Sequence, residues 1–160
     1  MARGVSVMLL CLLLAACGFH LRGQGNYRPA FQSIYVEGES RSTLVAELKR
    51  AIGSSGATLA EKPEAAQAVL QVFGESRDKS ILSLSGAGRV REYELRYQVS
   101  YRLRDADGKE PIPAGAVSLK RALSFSETEV LSKESEEALL YRDMESDAVQ
   151  QIMRRLSAVK

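Results

Sequence analysis

Three kinds of residue in this chain could do chemistry: two cysteines, one histidine, and the arginines and lysines of its second half. Cys17 stands directly after Leu14-Ala15-Ala16, while Cys11 lies inside an apolar stretch that runs from Val5 to Leu14 and is preceded by Arg3. A stretch of about 10 residues falls well short of the ~20 that cross a hydrocarbon core, so it has the form of a signal peptide. Small side chains at Ala15 and Ala16 suit a peptidase cleft that grips extended backbone, and the thiol that follows accepts a diacylglycerol before the cut. The expectation is a signal peptide over residues 1–16, cleavage before Cys17, and a diacylglycerol and an N-acyl chain on that cysteine. One acyl chain binds a bilayer marginally, at ~0.8 kcal/mol per buried methylene, whereas two or three hold it. With Cys11 discarded and Cys17 acylated, the mature chain has no internal disulfide, and packing alone must stabilise it.

Nothing else in the pattern points to catalysis. The one histidine, His20, is three residues from the acylated cysteine, at the bilayer surface, where no third group can orient it in a buried site. There is no HExxH, no CxxC and no Walker-type glycine loop. Gly86-Ala87-Gly88 precedes a strand pattern instead of a helix, so it is a hairpin turn and not a phosphate cradle. Glu92/Glu94 and Glu136/Glu137 have nothing apolar beside them to raise one pKa, which makes them solvated faces. We therefore expect no enzyme, no metal, and no cofactor beyond the acyl chains on Cys17.

Charge narrows the partners. Taking Arg3 away from 22 basic residues leaves 21 against 20 acidic ones, a balance that argues against a nucleic-acid partner held by bulk charge. Any anionic partner must meet a local patch. Arg89, Arg91, Arg96, Arg102, Arg104, Lys120, Arg121 and Lys133 are the cations available for one. Most of them have glutamates nearby and form a mixed, solubilising surface; guanidinium pairs bidentately with phosphate, so a phosphate-bearing lipid is the sharper alternative.

The elements that must position these residues follow from periodicity. Residues 18–32, with Gly23, Gly25 and Pro29, continue the tether that begins at Cys17, and residues 33–160 make one domain. Ser33 to Glu37 is a short strand. Thr43 to Ser55 is a helix whose Leu44, Val45, Leu48, Ala51 and Ile52 share a face. A polar connection follows, then a strand from Ala68 to Phe73, with Ile81 to Leu84 as its continuation or a second strand. From Tyr93 to Leu103 the odd positions are Tyr, Leu or Val and the even ones are polar, the mark of a sheet with one dry and one wet face. Val117 to Phe125 repeats that pattern, with Arg121 breaking the apolar side. Lys133 to Val159 is a long helix with Leu140, Tyr141, Met144, Ala148, Ile152 and Leu156 along one stripe, and Lys133 is an exposed cation at its start. The expected fold is α+β: two helices packed on one face of a mostly antiparallel, roughly four-stranded sheet.

Cys17-Gly18-Phe19-His20-Leu21-Arg22-Gly23 resembles the start of the mature LPS-assembly lipoproteins of the LptE (RlpB) family, in which Cys-Gly-aromatic-x-Leu-Arg follows the lipobox. The similarity runs on through Ile34 to Ile52, the Glu92-Tyr93 strand opening, and Phe125 to Lys133. Membership would imply a non-enzymatic outer-membrane lipoprotein, anchored on the periplasmic side or held within a barrel lumen. Such a protein plugs the LptD β-barrel, assists its assembly and binds lipopolysaccharide during insertion into the outer leaflet. Gly18 agrees, since lipoproteins retained in the inner membrane typically carry Asp there. The family's lipopolysaccharide-contacting cations lie in the loop before the long strand and at the start of the last helix. Lys133 matches the second; at the first this chain has Gly86, and Arg89, with Arg91 beside it, is the nearest cation. The alternative is a periplasmic lipoprotein auxiliary to a lipid-exporting or ABC-type system without a barrel partner.

Acylation at Cys17 predicts that the protein stays with the membrane on cell fractionation and that mass spectrometry finds fatty acids on that residue; a freely soluble chain contradicts it.

Overall fold

A computed structural model describes residues 29–159; the expected signal peptide, Cys17, His20 and most of the expected tether lie outside the described residues. The first strand, β1 (Ser33–Glu37), alternates inward Ile34 and Val36 with more exposed neighbours. Ser42 ends the turn after it and caps helix α1 (Thr43–Ser54), its hydroxyl accepting from the Val45 N–H at 3.2 Å. Leu44, Val45, Leu48 and Ile52 bury one face of that helix. A two-residue strand, β2 (Thr58–Leu59), and a 3-10 turn at Pro63–Ala65 lead to three long strands, β3 (Ala68–Leu84), β4 (Val90–Asp105) and β5 (Ile112–Ser124). The last helix, α2, spans Val130–Ala158.

The sheet has five strands in the order β2-β1-β3-β4-β5. β1 runs parallel to both neighbours, and β3, β4 and β5 are antiparallel. The expected α+β plan stands, with antiparallel pairing along the three long strands; the expected four strands are five, and the short β1 pairings make the sheet mixed. A strand as short as Thr58–Leu59 has too few residues to show a period, and parallel pairing leaves no local signature because its partners are joined by a crossover. The segment from Ala68 to Leu84 is one continuous strand.

Leu95, Tyr97, Val99, Tyr101 and Leu103 of β4 are fully buried, so their face is the one both helices cover. Along α2 the buried stripe is Tyr141, Met144, Ala148, Val149, Ile152, Met153 and Leu156, joined by one charged residue, Glu145. Phe31, just before β1, also packs against this core.

A bulge in β3 governs what happens beyond the core. Phe73 pairs with Ser100 but Ser76 pairs with Gln98, so β3 carries one extra residue there, and Gly74 takes φ +60 to allow it. The extra residue inverts the alternation. Before it, Leu70 and Val72 lie opposite Leu103 and Tyr101 on the dry face; after it, Arg77 and Lys79 lie opposite Tyr97 and Leu95 on that same face. Charged residues are therefore delivered to the helix side, and each finds a partner. Glu75 accepts from the Ser42 hydroxyl at 2.6 Å and from the Tyr97 hydroxyl at 2.9 Å. Arg77 donates to Glu145, which also accepts from the Thr43 hydroxyl at 2.6 Å. Lys79 pairs with Glu137 at 2.6 Å, and the Tyr141 hydroxyl donates to the Asp78 carbonyl at 2.9 Å.

Burial, and then the Glu75 carboxylate that accepts its proton, push the Tyr97 phenol above its ordinary value; burial also raises Tyr101 and Tyr141. A group raised in this way contributes stability that is full below its unfolded pKa, about 10, and is lost as pH rises through the folded value. Urea midpoints followed by circular dichroism are expected to hold from about pH 7 to 9 and to fall above about pH 10. Tyr97→Phe should flatten part of that fall; an identical alkaline profile would show that this phenol does not contribute.

Candidate functional site

β3 and β4 form a hairpin whose tip, residues 85–89, is closed by the Ser85 N–H donating to the Arg89 carbonyl at 2.7 Å and the Gly88 N–H donating to the Ser85 carbonyl at 2.9 Å. Gly88 adopts φ +76 there, the turn role expected for the glycine-rich stretch. Glu92 lies opposite Ser124, and the Phe125 N–H donates to the Arg91 carbonyl at 2.8 Å, so the end of β5 arrives beside the hairpin. The first turn of α2 is fastened at the same level: the Lys133 ammonium donates to the Ser124 hydroxyl at 2.9 Å and to Glu136 at 2.8 Å. Tyr93 packs edge-on against Phe125 with ring centroids 5.3 Å apart, and the Lys79 ammonium sits 4.4 Å from the centre of the Tyr93 ring.

The three cations singled out from the sequence thus share one end of the molecule although 44 positions separate Arg89 from Lys133. They are not equivalent. Arg89 is exposed and only 4.0 Å from the equally exposed Glu127, a pair that water screens. Arg91 is also exposed. Lys133, expected to be exposed, has a side chain only 15% accessible and two partners of its own. It is a fastening between β5 and α2 as much as a surface charge.

Four of the other cations, Arg96, Lys120, Arg102 and Arg121, are engaged elsewhere. Arg96 and Lys120 hold Glu94 at 2.9 and 3.1 Å, and these two hydrogen-bonded cations keep its carboxyl below the usual carboxylate range. Arg102 donates to Gln71 at 2.6 Å and lies 3.5 Å from Glu110. Arg121 reaches Asp147 of α2 at 2.6 Å, which explains a cation on the helix side of β5. Of the carboxylate pairs, Glu92 takes a bond from Ser83, Glu136 from Lys133 and Glu137 from Lys79. A groove of about 500 Å³ between β3 and α2 is lined by Arg77, Lys79, Glu134, Glu137, Ala138 and Tyr141. Its two cations are already paired, with Glu145 and Glu137.

Glu145, Arg77 and Lys79 escaped the sequence reading. Glu145 had a signal, since it falls one helical turn from Tyr141 on the apolar stripe, where a charge must have a partner. Arg77 and Lys79 had none, because the bulge that turns them inward leaves no mark in the hydrophobic pattern.

Helices on one face of a mixed sheet, with the opposite face polar and a cationic hairpin end, describe an α+β domain of the kind found in solved bacterial lipoproteins. The solution structure of uncharacterized lipoprotein B from Nitrosomonas europaea is 42% identical, covers 88% of this chain and 91% of its own, and superposes with a TM-score of 0.75. Rare lipoprotein B from Shewanella oneidensis, at 22% identity, shares the fold with a TM-score of 0.70 over 79% of this chain and 94% of that one. The family model LptE, Lipopolysaccharide-assembly, matches residues 31–156, and the chain belongs to that family. The LPS-assembly lipoprotein LptE of Yersinia enterocolitica is 27% identical over 153 residues, 94% of this chain and 73% of the relative.

The unequal roles of the cations predict unequal costs. Lys133→Ala should lower urea stability by about 1 kcal/mol, since it strands the β5–α2 junction, whereas Arg89→Ala should cost under about 0.5 kcal/mol. Equal costs would contradict the fastening.

Proposed function

We propose that this chain is an outer-membrane lipoprotein, anchored through acylated Cys17, that assists assembly of an LptD-type β-barrel, sits in its lumen and binds lipopolysaccharide during insertion into the outer leaflet. Family membership supports the assembly role. The observation that carries the ligand is the gathering of Arg89, Arg91 and Lys133 at one end, two of them exposed. Exposed guanidinium groups take phosphate oxygens bidentately, which suits the phosphorylated sugars of lipopolysaccharide. Lys133, bonded to Ser124 and paired with Glu136, keeps the helix start in place beside them.

The wet sheet face supports the plug role. A barrel lumen is polar and water-filled, so a plug needs a polar surface whose charges are largely balanced by one another. Arg96, Glu94, Lys120, Arg102 and Glu110 provide such balanced charge.

Two measurements test this reading. The tagged chain, isolated from outer membranes in mild detergent, should bring a β-barrel protein with it, and its depletion should reduce surface lipopolysaccharide. Arg89→Glu/Arg91→Glu should weaken lipopolysaccharide binding by roughly tenfold or more, given about 1.5–3 kcal/mol for a charge-assisted bond. Lys133→Glu should also weaken it without unfolding the domain. A chain that never co-isolates with a barrel, or binding indifferent to all three cations, would overturn the proposal.

A further inference from the structure

The hairpin end is apolar as well as basic. Ile81, Leu82, Leu84 and Leu131 are each more than half exposed, and Val130 is 42% exposed. Only three other large hydrophobic side chains are exposed among the described residues: Leu59, Phe73 and Leu139. The five are brought together by register. Ile81 lies opposite Tyr93 and Leu84 opposite Val90, while Glu92 of the same β4 segment lies opposite Ser124, to which Lys133 bonds. The apolar strand segment and the start of α2 are therefore about two strand spacings apart, roughly 10 Å, at one level of the sheet. A second irregularity marks the spot, since Leu82 is the extra residue between the pairs Ile81–Tyr93 and Ser83–Glu92.

Exposed leucines are unfavourable in water, whereas the even positions of β4 on the wet face are polar, with Glu94, Arg96 and Arg102 in ion pairs. Arg89 and Arg91, on the same hairpin, add positive charge at the margin of the apolar group. Cations next to leucines are complementary to an anionic amphiphile, with phosphates at the arginines and hydrocarbon at the leucines. We infer that Leu82, Leu84 and Leu131, with Ile81 and Val130, form a subsite for the acyl chains of lipopolysaccharide, an inference that rests on the lipopolysaccharide-binding role proposed above.

The test compares whole lipopolysaccharide with chemically deacylated, phosphorylated saccharide, using displacement of a fluorescent lipopolysaccharide from the mature acylated chain in mild detergent. Leu82→Thr/Leu84→Thr/Leu131→Ser should weaken binding of whole lipopolysaccharide at least tenfold and leave the deacylated saccharide unaffected. Its circular dichroism should be unchanged, because all three side chains are exposed. Leu82→Met/Leu84→Met/Leu131→Met, which keeps the surface apolar, should bind like the parent. Unaltered binding of whole lipopolysaccharide by the polar triple variant overturns the subsite. Loss of barrel co-isolation with lipopolysaccharide binding intact also overturns it, and assigns the patch to a protein partner. Failure of the parent chain to bind either ligand overturns the underlying role and the subsite with it.

Discussion

One extra residue in β3, accommodated by the positive φ of Gly74, decides what most of the charged half of this molecule does. A strand has a period of two, so a single insertion sends every later side chain to the opposite face. Without it Arg77 and Lys79 would point to water and the neighbouring even residues would face the helices. With it, Glu75 meets the α1 cap and Tyr97, Arg77 meets Glu145, and Lys79 meets Glu137 and the Tyr93 ring. These contacts tie β3 to both helices where apolar packing gives out. An added Cβ at Gly74 would lie 3.5 Å from the Ser100 hydroxyl, an ordinary contact, so the glycine is required by its backbone angle and not by crowding.

The same bulge explains how a 17-residue strand can serve two environments. Its first part joins the core, opposite buried Tyr101 and Leu103. Its last part carries Ile81, Leu82 and Leu84 out to the hairpin end, where the core no longer covers them. Ion pairs along the way are partly exposed and individually weak, but they share partners and fix direction more than they add stability. Glu145 is the exception in burial. Its two donors, Arg77 and Thr43, come from β3 and α1, so one carboxylate on α2 registers three elements against each other.

Much of the architecture was legible because its signals are local. Strict alternation from Tyr93 to Leu103 marked β4 and its dry face, and spacings of three and four marked both helices to within a few residues. β2 was not legible, since two residues carry no period, and the parallel pairing of β1 was not, since it depends on a crossover. For the candidate site, Arg89, Arg91 and Lys133 could be named from spacing and family resemblance. That Lys133 is largely covered and bonded to Ser124 and Glu136 follows from how β5 meets α2, which no local pattern encodes.

The amino-acid order alone specified the two-helix, one-sided α+β plan, because each helix stripe and strand alternation depends on residues close together in the chain. Which cations remain exposed, which are consumed by carboxylates, and which leucines gather at the hairpin end depended on strand register. Register is set by bulges and by packing between distant segments, so one residue more or less changes the face on which a charge appears without changing the composition at all.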